Sequence, residues 1–252
     1  MPFDEIWNLT GKDNIDRFVE LFGTVINLMK NNNIGFDEVR SRNESINRPL
    51  RLDIIIDLIE PVFSAYEEML KQRKEIDFND MINLATQYVI ENKCQHNYKY
   101  VIVDEYQDIG QSRYKLLYEM RQQNPYKLFC VGDDWQSIYR FSGSDIGFIL
   151  DFEKYWGPTE TDKIETTYRF SQSLIELSGA FVMKNPKQIR KSLISGMGYD
   201  NGFSAEEIQG YNEKLAIQFM EKKIMDLPKG VSVLFLGLVF LQPYLAQFLK
   251  AH

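Results

Sequence analysis

The residues best suited to chemistry gather in two short stretches. In "VIVDEYQD" an apolar run ends on Asp104–Glu105, and Asp108 follows after Tyr106 and Gln107. In "FCVGDDWQSIYRFSGSD" a second apolar run ends on Asp133–Asp134 and leads into Gln136, Tyr139 and Phe141. Clustered carboxylates repel one another and call for a cation. Magnesium suits them, since it is satisfied by carboxylate, water and phosphate oxygens. In phosphoryl transfer one acid positions the metal while another orients or activates the attacking water. Trp135, Tyr139 and Phe141 do not follow helical core spacing. An exposed aromatic loop offers faces on which nucleic-acid bases stack, at about 1–3 kcal/mol per base. Taken alone, an Asp-Glu pair after a strand also reads as a helix N-cap with an acidic first turn.

Both stretches need elements to hold them. "YKYVIV" (98–103) and "YKLFCV" (126–131) read as strands, with "SRYKLLYEMRQQN" (112–124) as the helix between them and Pro125 in the turn. "DKIETTY" (162–168) reads as a third strand, "SQSLIELSGAFVMKN" as a helix starting from Ser171 or Ser173, and "VSVLFL" (231–236) as a closing strand. Strands alternating with helices imply a parallel sheet covered by helices. Ligands of such sheets bind beyond the carboxyl ends of the strands. Neighbouring strands would therefore present Asp104, Glu105, Asp133 and Asp134 to one crevice.

Upstream, residues 1 to about 95 read as helical, with apolar residues at three- and four-residue spacing in "RFVELFGTVINLMK" and "LDIIIDLIEPVFSAYEEMLKQRK". Pro61 is expected to kink or divide the second of these. The polar segment 31–49 between them reads as a loop. Asp77 or Asn79 is placed to cap a helix built on Met81, Leu84, Ala85 and Tyr88.

The 252 residues carry a net charge of −7, so bulk charge gives no reason to expect nucleic acid or an anionic membrane as partner, although a local basic cluster could still bind phosphate. Lys184, Lys187, Arg190 and Lys191 form such a cluster, read either as a phosphate contact or as a solvated helix end. Two cysteines, Cys94 and Cys130, suit a reducing, cytoplasmic setting. Cys94 and His96 lie close together, but two ligands do not close a zinc site. "MPFDEIWNLTGKD" has no signal-peptide pattern. The apolar run Val233–Leu241 is far shorter than the ~20 residues of a membrane span, so a buried strand is expected there and no membrane partner.

In order and spacing, "VIVDEYQD", "FCVGDDWQSIYRFSGSD" and "IETTYRFSQSLIELSGAFVMKN" resemble the second, third and fourth motifs of the UvrD/Rep-type superfamily 1 DNA helicases. "IDFNDMINLA" and "DIGQSRYKLL" resemble the helicase IV branch most. The resemblance covers about residues 76–195 and implies a RecA-like α/β fold of the P-loop NTPase type, with parallel sheet segments, a helical subdomain and an incomplete motor core. Residues 1–75 would be part of a helical insertion, 76–160 part of the first motor domain, and 161–252 the start of the second. ATP and Mg2+ are the implied cofactors. Asp104 would hold the magnesium, Glu105 activate the hydrolytic water, and Gln136 sense the γ-phosphate. Arg169 would reach that phosphate from the second motor domain, while Tyr139 and Phe141 would lie on the single-strand path. Asp108, Asp133 and Asp134 would be supports. The implied partners are single-stranded DNA and DNA junctions, together with the rest of the helicase chain.

The departures are equally specific. No G-x-x-x-x-G-K-[ST] phosphate loop occurs in the sequence, and Thr167 stands where the fourth motif usually has asparagine. The chain is therefore expected to be a middle segment or a degenerate relative that hydrolyses ATP poorly or not at all by itself. The parent could be a free-standing helicase or the helicase subunit of a helicase–nuclease. Two other classes compete: a nuclease using Asp104, Glu105, Asp108 and Asp133 around two magnesium ions, and a non-catalytic module that binds single strands or a protein partner.

Overall fold

Apolar spacing does produce helices among the described residues between Lys12 and Ile90. In the computed structural model, which describes residues 12–44, 49–198, 213–227 and 230, they are α1 (Lys12–Asn32), α2 (Phe36–Glu44), α3 (Pro49–Arg73) and α4 (Phe78–Ile90). Helix α2 lies inside the segment expected to be a loop. Asp37 and Glu38 in its first turn favour the positive end of a helix. Arg40 bonds Asp57 and Glu60 of α3 at 3.0 and 2.6 Å, and Phe36 meets Phe63 edge-on. Its polar residues face those acids and solvent, so composition alone hid the helix. Helix α3 continues through Pro61 and is not divided there. Buried Ile56 and Ile59 precede the proline, so packing holds α3 where one backbone hydrogen bond is lost.

Asp77, not Asn79, caps α4. It forms a capping box in which Asp77 accepts from the Asp80 amide and Asp80 accepts from the Asp77 amide. Thr86 and Val89 are the buried residues of α4, whereas Met81 and Tyr88 are exposed. The core-facing stripe is thus rotated from the expected one. Lys30, in the last turn of α1, reaches the same cap. Its ammonium lies 2.7 Å from Glu67, 2.6 Å from Asp77 and 2.7 Å from Asp80, with only 6% of its side chain exposed. Burial opposes the Lys30 charge, yet its bonds to Asp77, Asp80 and Glu67 outweigh this and raise the ammonium above its ordinary range.

After α4 come β1 (Tyr100–Val103), α5 (Gln111–Gln123) and β2 (Lys127–Cys130). The strands pair in parallel, in the register Tyr100↔Lys127, Val101↔Leu128, Ile102↔Phe129 and Val103↔Cys130. One face, through Val103 and Cys130, packs on a core of Tyr106, Ile109 and Phe148, with Tyr114, Leu117, Phe152 and Tyr155 around it. Burial pushes the Cys130 thiol up to about 12. Tyr100, Ile102 and Phe129 on the opposite face are exposed. Short helices α6 (Gly147–Leu150) and α7 (Phe152–Trp156) close the core, where Trp156 Nε1 donates to the Tyr106 hydroxyl at 2.6 Å.

The expected third strand shrinks to β3 (Thr166–Thr167), which pairs with β4 (Ile194–Ser195) and does not join the β1–β2 sheet. Residues 160–166 are exposed, so this segment has no buried face to drive a longer strand. Helices α8 (Gln172–Val182) and α9 (Glu213–Met225) complete the described elements. The apolar run Val233–Leu241 and the strand expected at 231–236 lie outside the described residues. No described helix is long and apolar enough to cross a membrane. By their contacts the described residues fall into two compact units, one within Met1–Thr167 and Leu177–Ile194, the other within Tyr168–Glu176 and Ser195–His252.

The Lys30 cluster sets a pH dependence. Burial works against the Asp77 carboxylate, but Lys30 and the Asp80 amide more than offset this and lower it below the usual range. A depressed carboxylate stabilises the fold above its unfolded value near pH 4, and that contribution disappears as pH falls through the folded value. Lys30→Met leaves clustered acids uncompensated and should cost about 3 kcal/mol at neutral pH. Urea midpoints from pH 3 to 7 should fall for Lys30→Met most at the neutral end and converge with those of the unsubstituted chain in acid.

Candidate functional site

The parallel register sets the ends of β1 and β2 side by side, so the loops after Val103 and Cys130 emerge together. Asp104 and Glu105 open the first loop and are exposed. Glu105 has φ 50° and ψ 43°, the left-handed region. Asn33, Lys74 and Asn92 share that region just beyond helices α1, α3 and α4, where left-handed residues commonly end helices. Glu105 instead follows a strand, a placement that costs about 1 kcal/mol or more and persists only where its surroundings enforce it. They do. The Tyr106 amide donates to the Val131 carbonyl at 2.9 Å, Tyr106 itself is buried, and the Glu105 amide donates to Asp104 Oδ1 at 2.9 Å.

Gln107 joins the two loops. It is 2% exposed. Its side-chain amide donates to Glu105 Oε2 at 2.7 Å, and its side-chain oxygen accepts from the Asp133 amide at 3.0 Å. That backbone donor fixes which end of the Gln107 amide faces Glu105. Gly132 makes room for the contact, since a β-carbon there would lie 2.9 Å from Gln107 Oε1. The sequence reading gave Gln107 no role. Its place inside an acid-rich turn was visible, but its burial was not.

The second pair of acids does not open into the crevice as expected. Asp134 is buried, accepts from the Ile189 amide at 2.8 Å and lies 2.5 Å from Lys191 Nζ. Asp133 also pairs with Lys191, and it accepts from the Trp135 amide and from Gln136 Nε2 at 2.7 Å. Burial works against the Asp133 carboxylate, but Lys191 and Gln136 hold it below the usual carboxylate range. The cation that these acids call for is therefore Lys191, whose place in a basic run suggests phosphate or solvent instead. Trp135 Nε1 donates to the Ile189 carbonyl at 2.9 Å, and Gly179 of α8 lies against its ring. Among the described residues no three Asp, Glu, His or Cys side chains converge as a metal site. Asp104, Glu105, Asp108 and Asp133 thus do not converge as a two-magnesium nuclease centre requires.

Asp108 has one buried carboxylate oxygen without a hydrogen-bond partner among the described residues, and its carboxyl is pushed up by desolvation and by Glu105. Gln136 is exposed. Tyr139 and Phe141 are 46% and 72% exposed, their ring centres 6.0 Å apart. Arg169 belongs to the other compact unit, where its guanidinium lies 5.9 Å from the Phe170 ring centre. His96 is structural: Nε2 lies 2.8 Å from the Met120 carbonyl, and Nδ1 accepts from the Tyr98 amide at 3.4 Å. Its neighbour Cys94 is exposed.

Acid-bearing loops at the carboxyl ends of adjacent parallel strands, one of them running into exposed aromatic residues, define a RecA-like α/β domain fragment. Residues 12–156 match the UvrD/REP helicase N-terminal domain, and the chain belongs to that family. It is 38% identical over 141 residues to DNA helicase IV of Escherichia coli (strain K12), covering 56% of this chain and 21% of that protein. The match to ATP-dependent DNA helicase PcrA of Bacillus subtilis (strain 168) is 30% over 177 residues, or 68% of this chain and 23% of the relative. ATP-dependent DNA helicase UvrD1 of Mycobacterium tuberculosis (strain ATCC 25618 / H37Rv) is 29% identical over 195 residues, 72% and 25% of the two chains. The chain thus spans a quarter or less of the length of these curated relatives.

Lys191→Met should leave Asp134 buried without its counter-charge and destabilise the chain by about 3 kcal/mol. Chemical denaturation measures that loss, and Trp135 emission should shift to the red below the unfolding transition as its loop loosens.

Proposed function

We propose that this chain is part of an ATP-dependent DNA helicase that couples Mg-ATP hydrolysis to movement along single-stranded DNA and to duplex unwinding. The observation that carries this reading is the Gln107 bridge. A single buried amide holds the acidic loop by Glu105 and the aromatic loop by the Asp133 backbone. A nucleotide-dependent change at one loop then has a short, rigid route to the other.

In this reading Asp104 takes a position on magnesium, which fits the donor set: one exposed carboxylate suits an ion that keeps waters and phosphate oxygens for its other ligands. When bound, magnesium would neutralise charge on the phosphates. Glu105 takes the proton from the attacking water. Its left-handed backbone and its bond from Gln107 limit where that carboxylate can point. Gln136, tethered to Asp133, reads the γ-phosphate. Arg169 supplies a permanent, planar charge for the same phosphate. Asp108, Asp133 and Asp134 support the loops. Tyr139 and Phe141 stack on bases of the single strand, and DNA junctions are the natural substrate of an unwinding motor. The rest of the helicase chain completes the ATP site, residues 1–75 form part of a helical insertion, 76–160 part of the first motor domain, and 161–252 the start of the second. The open apolar face of Ile102 and Phe129 favours this view, because parallel sheets are ordinarily covered on both faces. A reducing, cytoplasmic setting suits both free thiols.

DNA-stimulated ATP turnover, measured with magnesium on this chain and on a longer protein containing it, tests the proposal. The longer protein should turn over ATP, its Glu105→Gln variant should lose about a hundredfold or more in kcat, and the 252-residue chain should be nearly inactive. Robust turnover by this chain alone would overturn the need for a phosphate loop. If neither protein turns over ATP, a strand-binding or partner-binding module is the better reading. Phe141→Ala should weaken single-strand binding about tenfold, the value of one stacked base.

A further inference from the structure

Asn31 sits where three segments meet, and no motif contains it. It is the penultimate residue of α1 and only 8% exposed. Its Nδ2 donates to the Ser142 carbonyl at 2.7 Å, at the end of the aromatic loop. Its Oδ1 accepts from the Ser112 hydroxyl at 3.1 Å, in the first turn of α5. Two glycines make the space. Gly143 has φ 97°, and a β-carbon there would overlap Asn31 Nδ2. At Gly110 a β-carbon would lie 2.7 Å from the Gly143 carbonyl and 3.0 Å from Asn31 Oδ1. The two loops are stitched at the same point, where the Asp145 amide donates to the Ile109 carbonyl and the Ser144 hydroxyl to the Asp108 carbonyl, both at 3.0 Å.

The neighbouring residue makes this contact stiff. Lys30 is held by Glu67 of α3 and by Asp77 and Asp80 at the cap of α4, and its carbonyl accepts from Asn83 of α4 at 2.9 Å. The end of α1 is therefore fixed to the helical bundle by Lys30 and to the aromatic loop by Asn31. We infer that Asn31 is a positioning residue for single-strand binding: it transmits the placement of the helical bundle to the loop that presents Tyr139 and Phe141. This rests on the reading of that loop as the strand-binding surface. Asn31 acts through the Ser142 carbonyl and does not itself meet the strand.

Asn31→Asp is the sharpest variant. It keeps the acceptor for Ser112 and sets a buried carboxylate oxygen against the Ser142 carbonyl, so the loop anchor is replaced by a repulsion. Asn31→Ala removes both bonds. Asn32→Ala serves as the control, because Asn32 bonds only back to Leu28 of its own helix in the contacts seen for its side chain. The 252-residue chain is titrated into a fluorescently labelled oligothymidylate, and amide hydrogen exchange is followed across residues 137–145. Asn31→Asp should bind at least about fivefold more weakly, the value of one lost neutral hydrogen bond, with the repulsion adding to it. Exchange at Ser142, Gly143 and Ser144 should quicken, with β1 and β2 amides unchanged and Asn32→Ala behaving as the unsubstituted chain. Unchanged binding and unchanged exchange in Asn31→Asp would overturn the inference, as would faster exchange with full binding. Faster exchange spread over β1 and β2 also overturns it, since Asn31 would then serve general stability. If the unsubstituted chain does not bind, or Phe141→Ala binds as well as the unsubstituted chain, the strand-binding reading fails instead. The exchange data still decide whether Asn31 anchors the loop.

Discussion

The site depends on one constraint, the parallel pairing of Tyr100–Val103 with Lys127–Cys130. An antiparallel pair would send the two following loops to opposite ends of the sheet. The parallel register brings Val103 opposite Cys130, and both chains leave the sheet at the same edge. From there the Tyr106 amide reaches Val131, which extends the ladder past the strand end and turns Glu105 outward. Tyr106, Ile109 and Phe148 then bury beneath the turn, so the acid pair stands on a packed aromatic base.

Charge is managed by a repeated device. Lys30 neutralises acids from α3 and the α4 cap, and Lys191 neutralises Asp133 and Asp134. In both places a lysine far away in sequence reaches a helix-cap or turn-cap carboxylate and is largely screened from water. Each cluster is strong only while complete, because removing one partner leaves buried charge of a single sign. Asp104 and Glu105 are left outside both clusters. Their exposure and shared sign suit them to a ligand that brings its own positive charge.

Much of this was legible in the residues. Apolar runs ending on acids marked both strands of the sheet, and the aromatic residues off helical spacing marked the exposed loop. The Asp77 cap was one of two named possibilities. What escaped was pairing at long range. Lys191 looked like part of a solvated basic run because its partner Asp133 lies 58 residues away and Asp134 is next to it. Asn31 looked like part of a turn because three asparagines in a row suggest one, yet the first of them is helical and buried. Helix α2 was hidden by its polar composition, since it meets α3 through one aromatic pair, Phe36 on Phe63, and the Arg40 ion pairs rather than through an apolar stripe. The third strand failed for the opposite reason: "DKIETTY" has strand-forming residues but no neighbouring surface on which to bury them.

The two cysteines differ in a way that gives the chain its own gauge of integrity. Cys94 lies exposed beyond α4, while Cys130 ends β2 against the core with its thiol pushed up to about 12. Thiolate, not thiol, reacts with alkylating reagents. Exposed Cys94 meets such a reagent while the fold is intact, whereas Cys130, packed against the core, should react more slowly until the sheet opens. Counting labels by mass then follows whether β2 is seated, without a reporter group.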